Sequence, residues 1–320
     1  MYDSNACHEA NNYNNILYIL SNADINADIN PHIDRIYFSC KSEIVKPVEK
    51  LVSILEANNY ECKYGRPAKG KIYKRIRMFE SRITGIKVSI LYGRNKNYSF
   101  CPCMRIIIYK SDMFTIDWFD TICNSIGFET TLSHIELTLD FSPYEYEIHE
   151  FFWKHLFLKF HRSGSHFYDG EFNTFYIGHK SKNSKSIILY QKPLDGINVL
   201  RLEFRLNRAF IKKLGLELDC FEKINDINLP GLISFKELNR ERLLKHLMGK
   251  NKSRLSEYDE DDSDMLIGQL SRFPNAYGGV VDEMAYMKKL RYINNPQRFF
   301  DDMPEVNEAL FGRLRSLRFI

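Results

Sequence analysis

The residues in this chain best able to do chemistry lie on three short segments in its middle. His134-Ile135-Glu136-Leu137-Thr138-Leu139-Asp140-Phe141 alternates strictly, so a strand there carries His134, Glu136, Thr138 and Asp140 on one face and four apolar residues on the other. Leu200 to Leu206 alternates in the same way and offers Arg201, Glu203 and Arg205. Between them, Ser186 to Lys192 places Tyr190 and Lys192 on a common face. Hard divalent cations take oxygen ligands, and carboxylates converging from neighbouring strands supply them. Glu136, Asp140 and Glu203 are therefore candidate ligands for Mg2+ or Mn2+. A tyrosine beside such an ion could attack a polarised phosphate, with Lys192, Arg201 or Arg205 stabilising the developing charge, to give a phosphotyrosine ester. Alternating polar faces are also what the solvent side of an antiparallel sheet presents. The pattern alone leaves both readings open.

Order and spacing add to it. Three blocks, His134 to Phe141, Phe175-Tyr176-Ile177-Gly178-His179-Lys180-Ser181 leading to Leu189-Tyr190-Gln191-Lys192, and Arg201-Leu202-Glu203-Phe204-Arg205-Leu206, resemble those of the trans-acting plasmid rolling-circle replication initiators. That family is related to phage initiators and to relaxases of conjugative elements. His134 and Glu136 stand where its first block usually has arginine and aspartate, and Ile188 stands where arginine is common. The resemblance implies a ferredoxin-like nicking core in which Tyr190 is the nucleophile and Glu203 joins the metal site. Nicking would leave a 5′ phosphotyrosine and a free 3′ hydroxyl. It also implies a homodimer acting on origin DNA, as a hairpin or single strand, and a host helicase as partner. A relaxase of a mobile element, a non-catalytic DNA-binding regulator on the same scaffold, and a metal-dependent hydrolytic nuclease are the alternatives.

The chain's 320 residues, 44% hydrophobic, suffice for one large domain and a smaller one. A net charge of +4 permits nucleic-acid binding without requiring it. The bases concentrate between Lys63 and Lys96, where Lys69, Lys71, Lys74, Arg75 and Arg77 are interleaved with Tyr64, Tyr73, Phe79 and Tyr92. Such a segment could follow a phosphate backbone or be a solvated hairpin. Lys180, Lys185 and Arg205 are further candidate DNA contacts. Seven cysteines without paired CxxC spacing point to reduced thiols and away from zinc. The first residues lack the basic-then-apolar order of a signal peptide, and no apolar run reaches the ~20 residues of a membrane span. A cytoplasmic protein with no membrane partner is expected.

These sites need elements to hold them. The pattern predicts a polar leader over 1–30, a catalytic domain over 31–210 and a helical C-terminal region over 211–320 with an acidic linker at about 249–264. Within the domain it predicts strands at Ile33 to Ser39, Arg75 to Phe79, Lys87 to Tyr92 and Met104 to Tyr109, and helices at about 43–58, Ile116 to Ile126 and Tyr146 to His161. Further on, helices are expected around Leu238 to Leu247 and at Met265 to Phe273, Val281 to Tyr292 and Val306 to Phe319. The fold class is α+β, a mainly antiparallel sheet with helices on one face and the other face open.

Overall fold

In a computed structural model, the described residues are 28–40, 46–67, 72–158, 166–169, 174–177, 185–216, 218–239, 242 and 299–319. Most of them build a ten-stranded antiparallel sheet with a few helices. Its strands are β1 (Asp28–Cys40), β2 (Tyr60–Pro67), β3 (Tyr73–Ser81), β4 (Lys87–Arg94), β5 (Met104–Tyr109), β6 (Thr130–Ser142), β8 (His166–Asp169), β9 (Thr174–Ile177), β10 (Lys185–Leu194) and β11 (Ile197–Asn207). They lie in the order β2-β3-β4-β5-β1-β6-β11-β10-β9-β8. β7 (Leu156–Leu158) leaves this sheet and joins β12 (Ile233–Leu238) and β13 (Phe300–Asp302) in a second, three-stranded one.

The order has an internal symmetry. A strand, a helix, a four-stranded meander and a second helix make the first half: β1, α1 (Lys46–Ala57), β2 to β5 and α2 (Met113–Ser125). The second half repeats that succession with β6, α3 (Tyr146–His155), β8 to β11 and α4 (Arg208–Lys213). In each half the last strand of the meander returns beside the first, and the halves meet where β1 pairs antiparallel with β6. Pro31 sits in β1 beyond the reach of β5, whose pairing starts at Arg35, so its missing N–H interrupts no ladder on that side.

Period-two alternation sorts the sheet into two faces. Ile36, Phe38, Val88, Ile90, Ile106 and Ile108 in the first half, with Ile135, Leu137, Leu139, Leu202, Phe204 and Leu189 in the second, are buried in one core. Val48, Leu51 and Leu55 of α1, Ile116, Phe119 and Ile122 of α2, and Ile148 and Phe152 of α3 complete it. Helical spacing of these residues gives each helix one apolar stripe, and burying the stripes fixes the helices behind the sheet.

The expected strands and helices of residues 31–210 are present, most of them a few residues longer. Three differences have physical causes. β2 shows no clean alternation and lies at the margin of the sheet, with an irregularity between Cys62 and Tyr64. The helix expected over Tyr146 to His161 ends at His155, because Leu156, Phe157 and Leu158 are apolar without interruption and all three are buried in the second sheet. Leu238, expected to open a helix, instead ends strand β12, so the described part of 211–320 is not helical throughout. The final helix is α5 (Pro304–Ser316), started by Pro304, whose missing N–H is harmless in a first turn. The leader up to residue 27, the acidic stretch 249–264 and the helices expected at 265–273 and 281–292 lie outside the described residues. No helix among the described residues is long and apolar enough to cross a membrane.

Candidate metal and nucleophile site

The face opposite the helices carries the polar side chains of β6, β10 and β11, and register decides which of them meet. Tyr190 lies across from Arg201, which lies across from Asp140; Arg205 lies across from Glu136, and Glu136 from Arg35 on β1. An extra residue in β1 between Ile33 and Arg35 shifts the register there. That residue is Asp34, and the bulge brings its carboxylate to the polar face beside Arg35.

Asp34, Glu136 and Glu203 each offer an oxygen within 4.8 Å of the others, and all three residues are buried. This trio could hold a metal ion. Its all-oxygen donor set suits a hard divalent cation, and Glu136 Oε2 is buried with no hydrogen bond among the described residues, its charge met by the Arg35 guanidinium at 3.4 Å. The remaining contacts bring positive charge to the same acids. Arg205 Nε donates to Glu203 and lies 3.5 Å from Glu136 Oε1. Arg35 Nε lies 3.4 Å from both Asp34 Oδ2 and Glu136 Oε2. His134 bridges Glu136 at 3.1 Å and Asn207 at 2.8 Å through its two ring nitrogens. Burial opposes ionisation of Glu136, but the His134 hydrogen bond and the charges of Arg35 and Arg205 outweigh it and hold its carboxyl below the usual range.

Asp140, expected among the metal ligands, faces Arg201. The guanidinium donates to it through Nε at 2.6 Å and Nη2 at 2.5 Å, reaches Asp34 Oδ1 at 3.4 Å and lies 3.2 Å from His32 Nε2. Arg201 is 0% exposed. Its donors are taken up inside the protein, so it orders the acids around the site. Sequence reasoning missed Asp34, His32 and Arg35. The signal was the pair Asp34-Arg35 between Ile33 and Ile36, a break in alternation that marks a bulge.

Tyr190 is half-buried, and its hydroxyl donates to Glu203 Oε2 at 3.2 Å. Burial and then the Glu203 carboxylate push the phenol above its ordinary range, while Arg201 pulls the other way. Lys192, on the same face, is lowered by burial and by the Arg201 charge. The other expected contacts scatter. Lys185 stands on the helix side with its ammonium 5.4 Å from the centre of the Phe210 ring. Arg77 is held by Glu49 of α1 at 3.1 and 3.2 Å. Lys74 and Arg75 are exposed on β3, and Lys69, Lys71 and Lys180 lie outside the described residues. Within the basic segment, Lys63 and Arg82 pair with Glu61, and Lys87 with Glu80.

No protein-family model matches this chain, and no curated protein matches it either.

Proposed function

We propose that the chain is a rolling-circle replication initiator that nicks and rejoins one strand of origin DNA through Tyr190. The observation that carries this reading is the hydrogen bond from the Tyr190 hydroxyl to Glu203, one of three buried carboxylates that converge on a single point. A nucleophile with a proton acceptor, held at a candidate cation site, is the minimum for metal-assisted phosphoryl transfer. The resemblance of the three sequence blocks points the same way. The sheet, backed by helices with its other face polar, is also the layout a ferredoxin-like nicking core would need.

Asp34, Glu136 and Glu203 would hold Mg2+ or Mn2+, which would supply Lewis-acid polarisation of the scissile phosphate. The phenol passes its proton to Glu203 as its oxygen bonds to phosphorus, and the bond from phosphorus to the 3′ oxygen breaks. Lys192, made a readier acid by burial and by Arg201, gives that oxygen its proton. Arg201 keeps Asp34 and Tyr190 in place. The ester keeps its bond energy, so a 3′ hydroxyl can reverse the step and reseal the strand. Dimerisation on a hairpin origin and recruitment of a host helicase belong to the same proposal.

The test uses 3′-labelled single strands tiling the replicon that encodes the protein, with Mn2+. Wild type should give a covalent protein–DNA band, and Tyr190→Phe should give none while still binding DNA. Cleavage without adduct, undiminished in Tyr190→Phe, would identify a hydrolytic nuclease instead. DNA binding with neither cleavage nor adduct would identify a regulator.

A further inference from the structure

We infer that the polar face of the first half, next to the carboxylates, binds single-stranded nucleic acid, with Tyr37 and Tyr109 as stacking rings and Arg35 and Arg105 as phosphate contacts. This rests on the nicking reading, since it places the substrate strand at the same site.

Position comes first. Arg35 lies across from Glu136 on one side and Tyr109 on the other; Tyr37 lies across from His134 and Ile107. Glu136, Arg35 and Tyr109 thus share one row over three strands, roughly 10 Å at the usual spacing. Stacked bases rising ~3.4 Å each cover that in three steps.

The chemistry of the patch is that of a strand-binding surface. Cations and rings alternate: Arg35 lies 5.6 Å from the Tyr109 ring centre, Arg105 lies 5.8 Å from that of Tyr37, and Tyr37 meets His134 edge-on at 4.7 Å. Every base has a π-face, so such rings accept any sequence, and guanidinium groups between them reach phosphate. Tyr37, Tyr109, Arg35 and Arg105 are all partly exposed.

Availability sets Arg105 apart from the other arginines of this face. Arg201 and Arg205 are committed to carboxylates, and Arg35 Nε stands in ion pairs with Asp34 and Glu136 at 3.4 Å. Among the described residues, Nε of Arg105 is buried without a hydrogen-bond partner, its guanidinium lying against the Tyr37 and Tyr73 rings. A buried donor left unmade costs free energy that a phosphate oxygen would restore. Asp34, Glu136 and Glu203 thus gather at the seam of the two halves, where they would act on the phosphodiester, and the first half beside them offers rings and cations that would hold the strand.

The experiment measures binding of fluorescein-labelled (dT)12 to the full chain in EDTA, so it does not depend on cleavage. Tyr37→Leu and Tyr109→Leu should each weaken binding about tenfold. Arg105→Met should reduce the salt slope of log K by about 0.7. In otherwise wild-type protein, the indole of Tyr109→Trp should be quenched by (dT)12, a readout that survives if a leucine variant fails to fold. Leucine variants that melt like wild type yet bind within twofold of it would overturn the proposal, as would an unquenched Tyr109→Trp. An equal loss on a 12-base-pair duplex, or displacement of (dT)12 by polyglutamate at equal charge concentration, would also overturn it in favour of a general polyanion surface. Wild type that binds (dT)12 through these residues but never forms an adduct would sink the nicking reading and leave this one standing.

Discussion

Asp34 and Asp140 both touch Arg201, yet they stand on different sides of its chemistry. Asp140 takes the paired Nε and Nη2 donors, whereas Asp34 takes only a long contact and points its carboxylate at Glu136 and Glu203. Asp34→Asn should therefore weaken Mn2+ binding at least tenfold, measured by electron paramagnetic resonance of free Mn2+, with little loss of stability. Asp140→Asn should do the reverse. It leaves a buried guanidinium short of its counter-charge, a change that costs about 3 kcal/mol, and should lower the urea midpoint while Mn2+ affinity stays within threefold. Equal Mn2+ losses in the two variants would return Asp140 to the ligand set.

At the scale of elements, the strands were legible because one buried face imposes a period of two, and α1 to α3 because one apolar stripe imposes 3.6. This made Glu136, Glu203, Arg201 and Tyr190 readable as neighbours. Asp34 was not, because a bulge adds a residue and breaks the alternation on which the reading relied. Nor was β7, whose continuous apolar run fits a buried helix as well as a buried strand. The helix before it supplies a pH prediction. His149 of α3 is buried, and its Nδ1 lies 2.9 Å from the Tyr144 hydroxyl. Burial lowers its pKa to about 4. Between that value and ~6.5 the unfolded chain binds a proton that the folded chain does not, so stability falls as pH drops through this window. From pH 7 to pH 5 the loss attributable to His149 should be about 2 kcal/mol. His149→Gln keeps an acceptor for Tyr144 but cannot titrate. Urea melts of the variant should show that much less dependence on pH; identical dependence would mean His149 is protonated in the folded protein.

At the scale of the whole molecule, the α+β class with its large antiparallel sheet was legible and the doubling of that sheet was not, since the halves share a succession of elements but no repeated sequence pattern. Local signals also ended where the partners became distant. Leu156 to Leu158 pairs with a strand that begins at Ile233, which itself pairs with Phe300 to Asp302. The sheet order predicts a gradient of protection. Amides of β1 and β6, flanked by strands on both sides, should exchange most slowly, and those of β2 and β8 at the two margins fastest. Mass-resolved deuterium uptake would show this; faster exchange in β6 than in β2 would contradict the strand order.

The antiparallel seam between β1 and β6 has a consequence for the isolated halves. Cutting the chain in the connection near Gly127, after α2 and before β6, would leave each half with its meander and helices but with a long row of backbone donors and acceptors newly bare. Such a row is a template for another strand. Expressed alone, either half should self-associate through it, making a false copy of the seam, and co-expression should suppress that by letting the true partners meet. A protein built this way has good reason to keep both halves on one chain.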